Sequence, residues 1–418
     1  MNSTPKMTRT VERTFSTAMH RLHKQSSIQA SYYRGGTSRA LLFNSLDLPP
    51  SRDDWTPIFL GTIGSPDPYE RQLDGMGGGI SSLSKICVVE PSRRPDAQMD
   101  FTFVQVGVKE AVIDYSGNCG NMTSAIGPFA VDSGLVKVVP DPEASAAQPE
   151  EEERPFTVKL YNTNTNKIIH ATFPVCDGEA VASGAFSIDG VAGTGSKIQL
   201  DFIDPAGSKT GVLLPTGNPV DIILDDIRAT CIDVGNPCVF VQAQDTILTG
   251  TSLDGTILPN EIQNRRELLE RLETIRRHAA VRMGLCESLD AVPPSIPKIC
   301  LVSSPSTHRI SSGEVMHEES IDVVARAIST GQPHKALPIT CGLALSAAAT
   351  MPGTVVAECL RTGGGAQSSS SGPAGEVVIG HPSGKLVVGA KYSEKGSLES
   401  ATVFRTARRL MEGKVFWK

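Results

Sequence analysis

Two residues of this chain stand where proton chemistry is done. Cys119, within Gly117-Asn118-Cys119-Gly120-Asn121, precedes an almost charge-free run that reads as a helix starting near Asn121 and ending at Gly134. A helix N-terminus carries unpaired N–H groups and about half a positive charge, which attracts carboxylates and turns a thiol into a proton carrier. The flanking Gly and Asn (Asn118, Gly120, Asn121) let the backbone approach a ligand closely; a small buried apolar role is the alternative for the cysteine. Lys85 follows the Gly-rich stretch Asp74–Ser84 and opens the apolar run Ile86–Val89. Desolvation there favours the free amine, hence a general base, although an ordinary surface lysine fits the spacing equally well. The stretch supplies hydroxyls at Ser81, Ser82 and Ser84, but it lacks the G-x-x-x-x-G-K-[ST] spacing and leads into a strand, which argues against a nucleotide phosphate loop.

Other candidates are carboxylate binders. Arg34, Thr37 and Ser38 in RGGTSRA read as a clamp or as a plain tight turn. Cys341 and Gly342 mark the expected start of a second charge-free helix that ends before Pro352. Two such helix tips meeting at an interface would hold a di- or tricarboxylate. Asn236, on a Gly-Asn-Pro turn, either satisfies its own backbone or reaches the ligand. His334 and His381, each beside Gly and Pro, are secondary candidates. The other cysteines, at 87, 176, 231, 286, 300 and 359, read as small buried hydrophobes, and Cys238 belongs to an apolar strand.

These residues need a soluble scaffold, and the composition provides one. The 418 residues are 39% hydrophobic and 20% charged, with 39 Gly and 28 Pro, as in a turn-rich globular protein of two to three domains. No run approaches the ~20 apolar residues of a membrane-spanning helix. The net charge is −6, and residues 1–27 hold five basic residues against one acidic, so the remainder is more acidic still and does not invite nucleic acid. The nine cysteines form no C-x-x-C pair, which favours a reducing compartment, and no His spacing suggests a metal.

Residues 1–27 read as a disordered tail or a presequence, making a cytoplasmic location the first expectation and a mitochondrial one the alternative. Short strands and turns follow from Ile28. Residues 141–155 and 363–375 read as loops. A helix is expected over Asn260–Met283, capped by Asn260 with Gln263, striped by Leu268, Leu272, Ile275 and Ala279, and stopped by Gly284. GGTSRALL at 35–42 aligns with AGSKTGVLL at 206–214, a weak repeat suggesting two pseudo-equivalent α+β domains over 28–195 and 196–395, with 396–418 returning to the first.

RGGTSRALLF, GGGISSLSK, CGNMTSAIGPFAVDSGL, LLPTGNPVD, PKICLV, STGQPHKA, IGHPSG and RTARRLMEG occur in an order in which the chain, from about Ile28 to Lys418, resembles the PrpF-type methylaconitate isomerases and the related aconitate and methylitaconate Δ-isomerases. The resemblance implies a diaminopimelate-epimerase-like α+β fold, two pseudo-symmetric domains each wrapping a curved sheet or open barrel around a central helix. It also implies an allylic proton shift on an aconitate-like tricarboxylate without a cofactor, with Lys85 as base and Cys119 as acid or positioning group. A homodimer is left open. Two departures stand out: Arg39-Ala40 where the family writes Lys-Gly, and Thr340-Cys341-Gly342 where it writes Thr-Gly. The second keeps alive a two-cysteine racemase or epimerase using Cys119 and Cys341, beside a third reading as a non-catalytic carboxylate-binding protein.

Overall fold

The computed structural model describes residues 24–138, 153–224, 227–246, 255–361, 376–394 and 396–418. The expected loop at 363–375, most of the one at 141–155 and most of the N-terminal tail lie outside these residues.

Strands pair in the same sequence twice. Ser26–Gly35 runs antiparallel to Ser38–Asn44, which is parallel to Lys85–Pro91, then antiparallel to Met99–Val106, parallel to Arg154–Asn162, antiparallel to Lys167–Cys176 and antiparallel to Ile198–Ile203. In the second half Ile227–Val234, Asn236–Gln242, Lys298–Ser303, Val323–Ser329, Glu376–His381, Gly384–Tyr392 and Leu398–Arg405 repeat that order of antiparallel and parallel contacts. The last strand of each run joins the other, Leu398–Arg405 against Ile198–Ile203, so one continuous sheet passes through both halves. Ala407–Trp417 returns to pair with Ser26–Gly35.

This topology corrects the repeat expected from sequence. The hairpin at 26–44 corresponds to that at 227–242, with Gly36 and Gly235 both at positive φ in the turns. Residues 206–214 are instead a loop tied to Asp233, whose carboxylate accepts from Lys209 N, Thr210 N and the Ser208 hydroxyl. Ile198–Ile203, past the expected boundary at 195, forms the seam between the halves.

Each half wraps a buried helix, Gly120–Asp132 in the first and Ile339–Ala349 in the second. Side chains alternate across the strands. Cys87 and Val89 face inward to these helices, whereas Ile86 and Val88 face an outer layer completed by the helix Trp55–Ile63. In the second half Cys300 and Val302 face inward, and Ile299 and Leu301 meet the outer helix Arg266–Arg282. Period two then turns Lys85 and Lys298, each the first residue of its strand, toward the inner helices.

The long outer helix differs from expectation at its start. Pro259–Gln263 forms its own short helix before Arg266–Arg282 begins, and the cap is Leu258, whose N–H donates to Glu261 Oε2. Proline is favoured at the first helical position, where no intrahelical N–H bond is lost, so Pro259 moves the start ahead of Asn260. Leu268, Leu272, Ile275 and Ala279 are buried, and Gly284 takes positive φ beyond the end. No helix among the described residues is long and apolar enough to cross a membrane.

Candidate active site

The two inner helices point their N-termini at each other. A Cβ on Gly120 would stand 2.6 Å from Ile339 Cβ, so glycine is what allows the tips to abut. Neither cap residue, Cys119 nor Pro338, bonds a helix N–H through its side chain, so among the described residues the caps leave the first-turn donors of both tips open. Side chains then lock the halves together. Asn236 accepts from Asn118 N (2.9 Å) and donates to Asn118 O (2.7 Å) and Thr340 Oγ1 (3.3 Å). Asp114 accepts from Ser295 N, and Gln332 Oε1 from Ser81 N.

Between the tips lies a narrow cleft, about 410 Å³ of non-atom space with open solvent included, of which about 20 Å³ is free to the centre of a water-sized sphere. Lys85, Cys119, Ser38, Asn118, Gly120, Asn121 and His334 line it, together with Phe103, Gln105, Ser295, Lys298, Ser329, Pro338, Ile339 and Thr340. None of these is acidic, while two are lysines, so the cleft suits a polyanion.

Lys85 is 5% exposed. Its Nζ donates to Gln105 Oε1 (2.6 Å) and lies 5.3 Å from the Phe103 ring centroid. Gln105 is itself held by donating to Ser81 O and Ser84 O. Burial pushes the lysine down to about 8; the sulfurs of Cys119 and Cys87 oppose that, and the charge of Lys298 adds to it. Cys119 Sγ lies 3.9 Å from Ser38 Oγ, and its N–H donates to Asn118 Oδ1. Burial, with Lys85 and Lys298 nearby, lowers His334 to about 4, so its ring is neutral at pH 7. Its Nδ1 accepts from Ala336 N (3.1 Å), which assigns the remaining proton to Nε2 as a donor.

Nine expected binding residues do not line the cleft. Arg34 is no clamp: its Nη1 donates to Gly36 O, Thr406 O and Thr406 Oγ1, holding the turn closed. Thr37 is tied to the Asn121 amide, its N–H donating to Oδ1 and its hydroxyl accepting from Nδ2. Ser81 and Ser82 belong to a short 3₁₀ turn, and the Ser84 hydroxyl donates to Gln72 Oε1 and Ile80 O. Asn236 is fully committed to Asn118 and Thr340.

Cys341 and Gly342 are corrected by the helix start. Pro338 caps the helix, three residues earlier than expected, which carries both into the first turn. Cys341 is wholly buried with its Sγ 3.8 Å from Cys238 Sγ, turned to the core and not toward Cys119. A Cβ on Gly342 would meet Leu386 Cδ2 at 2.7 Å, so this glycine serves helix–sheet packing. The two-thiol arrangement therefore has no geometric support. His381 is buried beside Arg405 and Arg326, with Nδ1 accepting from Ser383 N. The departure at Arg39-Ala40 leaves the turn intact: the guanidinium of Arg39 lies over the Tyr32 ring and Ala40 packs into the core.

Lys298 is the main residue that sequence reasoning missed. A signal existed, because Lys85-Ile86-Cys87-Val88-Val89 is echoed by Lys298-Ile299-Cys300-Leu301-Val302 in the equivalent strand. Gln105 and Ser329, on the neighbouring strands, carry no sequence mark of their own.

Comparison with known proteins finds relatives over almost the whole chain. The sequence model of the PrpF protein family matches residues 25–418. A 2-methyl-aconitate isomerase of Shewanella oneidensis is 37% identical over 93% of this chain and 96% of its own length. The crystal structure of a methylitaconate-delta-isomerase, also 37% identical, superposes with a TM-score of 0.70 over 94% of this chain and 96% of that one. A hydroxyproline epimerase, 12% identical, shares the fold with a TM-score of 0.50, covering 93% of this chain and 92% of its own.

Proposed function

The chain belongs to the PrpF family and is an isomerase, and we propose that it moves a double bond within an unsaturated tricarboxylate by an allylic proton shift. The observation that carries this reading is Lys85, buried, lowered to about 8 and opening into the same cleft as Cys119 and two helix tips. The names of the relatives, a 2-methyl-aconitate isomerase and a methylitaconate-delta-isomerase, support an aconitate-like substrate class.

A carbon acid beside a carboxylate is very weak, and the negative charge that develops on its loss of a proton needs fixed donors. Unpaired N–H groups at the two tips, Asn121, His334 Nε2–H and the lysines supply them in a water-poor cleft. The amine of Lys85 takes a proton from the carbon flanking the double bond. The C–H electron pair becomes the new C=C, and the old π pair takes a proton two carbons away. Cys119 donates that proton and is restored from the Lys85 ammonium, or the ammonium donates directly; charge and protons balance either way. Rotation about the bond left single in the intermediate interconverts cis and trans isomers.

The test is to incubate the protein with cis-aconitate, trans-aconitate, methylated aconitates and itaconates, following vinyl and methylene signals by proton NMR. Interconversion of at least one unsaturated tri- or dicarboxylate is expected. A panel left unchanged, with enzyme near stoichiometric amounts, refutes the reading.

A further inference from the structure

We propose that Lys298 is a substrate-binding residue of this cleft, its ammonium taking one carboxylate of the polyanion opposite Lys85. The inference deepens the isomerase reading and rests on it for the substrate class.

The two lysines occupy equivalent places in the repeated topology, each first in a strand that runs parallel to the second strand of a hairpin. Their surroundings differ in one respect. Lys85 pairs in register with Gln105, whose amide oxygen accepts from its Nζ. In the second half Ile299 pairs with Ile328, which brings Ser329 opposite Lys298. Serine is too short to reach across as Gln105 does. Lys298 Nζ is left with one hydrogen bond among the described residues, to Ser295 O at 2.9 Å, although an ammonium has three donors.

Lys298 is only 8% exposed, and no ion pair to it occurs among the described residues. The carboxylate of Asp114, behind Ser295, is occupied by Ser116 and Ser295 N. A buried cation without a counter-charge is costly, and a bound carboxylate relieves that cost where the glutamine of the first half would have filled the space. The difference between Gln105 and Ser329 thus assigns the lysines different work: Lys85 is oriented by protein and free to act as base, whereas Lys298 is open to ligand.

A second consequence concerns Lys85. The groups facing it are Cys119, Cys87, His334 and Lys298; His334 is neutral at pH 7, so Lys298 supplies the positive charge that opposes protonation of the amine. Removing that charge raises the Lys85 titration midpoint, and bound substrate carboxylate on Lys298 raises it too.

Four proteins test this: wild type, Lys298→Gln, Lys298→Arg and Ser329→Gln, each checked for native circular dichroism. Binding of propane-1,2,3-tricarboxylate, a saturated probe, is measured by calorimetry, and Lys85 is titrated by NMR of ¹³Cε-lysine assigned with a Lys85→Met spectrum. K298Q and S329Q are expected to weaken probe binding at least tenfold, and K298R to stay within about threefold of wild type. In K298Q the Lys85 midpoint should rise by at least about half a unit, as expected on removing a nearby like charge, and K298R should leave it in place. Probe affinity in K298Q within twofold of wild type overturns the proposal. Wild-type protein that binds the probe, loses it in K298Q and yet isomerises nothing overturns the isomerase reading alone. Wild type that binds neither the probe nor cis-aconitate overturns both.

Discussion

Replacing Lys85 by Met should abolish activity and, at neutral pH, make the protein more stable. The lysine is depressed from 10.5 to about 8, and at about 1.4 kcal/mol per unit this amounts to about 3 kcal/mol of unfavourable burial. Met fills similar volume without the charge. Against that gain, Gln105 Oε1 loses its donor, at a cost of about 1 kcal/mol. The net expectation at pH 7 is a K85M variant more stable by about 2 kcal/mol. Its pH dependence has a definite sign. Below 8 the lysine is protonated in both folded and unfolded chains and the whole penalty is present. Between 8 and 10.5 the folded chain has released a proton that the unfolded chain retains, so wild-type stability rises with pH. The margin of K85M should therefore shrink across that window and reverse near its upper end. Denaturant midpoints at pH 7, 8, 9 and 10, with slopes checked for constancy, measure the margin. A K85M variant that is less stable than wild type at pH 7, or a margin flat with pH, would refute the claim that burial disfavours the ammonium of this lysine.

Three further outcomes follow from the same geometry. With Lys85 as base, kcat/KM should rise about tenfold per pH unit up to a midpoint near 8 and then level, with no limb from His334 near 6.5; a profile flat from pH 6 to 9 contradicts it. Cys119→Ser should lower kcat by about 10²-fold or more with little change in KM, because the hydroxyl keeps the contact with Ser38 but donates its proton poorly; unchanged kcat leaves the thiol no role in proton transfer. Gly120→Ala puts a methyl carbon 2.6 Å from Ile339 Cβ, and forcing the helix tips apart should cost about 1–3 kcal/mol in unfolding experiments and depress kcat/KM together; wild-type stability and rate would mean that the tips need not meet.

The repeated α+β architecture and the two inner helices were legible from sequence because charge-free helical runs ending at Gly134 and before Pro352 admit few other readings. The register of the repeat was not. Gly-Ser turns resemble one another, and the alignment of 35–42 with 206–214 rested on such turns, while the informative match lay in the strands at 85–89 and 298–302. The start of the second inner helix was misplaced because Cys341-Gly342 imitates Cys119-Gly120, whereas Pro338, a poor hydrogen-bonding cap but a good chain-turning residue, sets it three residues earlier. Lys85, expected at a strand mouth, Cys119, Asn118, Gly120 and Asn121, expected at a helix start, and Ser38 and His334, expected in polar loops, line one cleft. Arg34, Asn236 and Ser84 carry the same types of polar group, but their partners are backbone and side-chain atoms distant in sequence, Thr406, Asn118 and Gln72, and no local pattern announces them.

Hydrogen exchange at substrate carbon probes the base itself. Wild-type enzyme and Lys85→Ala are incubated in D₂O at pD 8.5 with an acid from the panel that the wild type turns over, and proton NMR follows loss of the allylic signal. Deuterium should enter at both ends of the allylic system with wild type, and the rate should fall by about 10³-fold in K85A, the scale of losing a positioned general base. Exchange in K85A at the wild-type rate would remove Lys85 from the reaction and with it the mechanism proposed for this cleft.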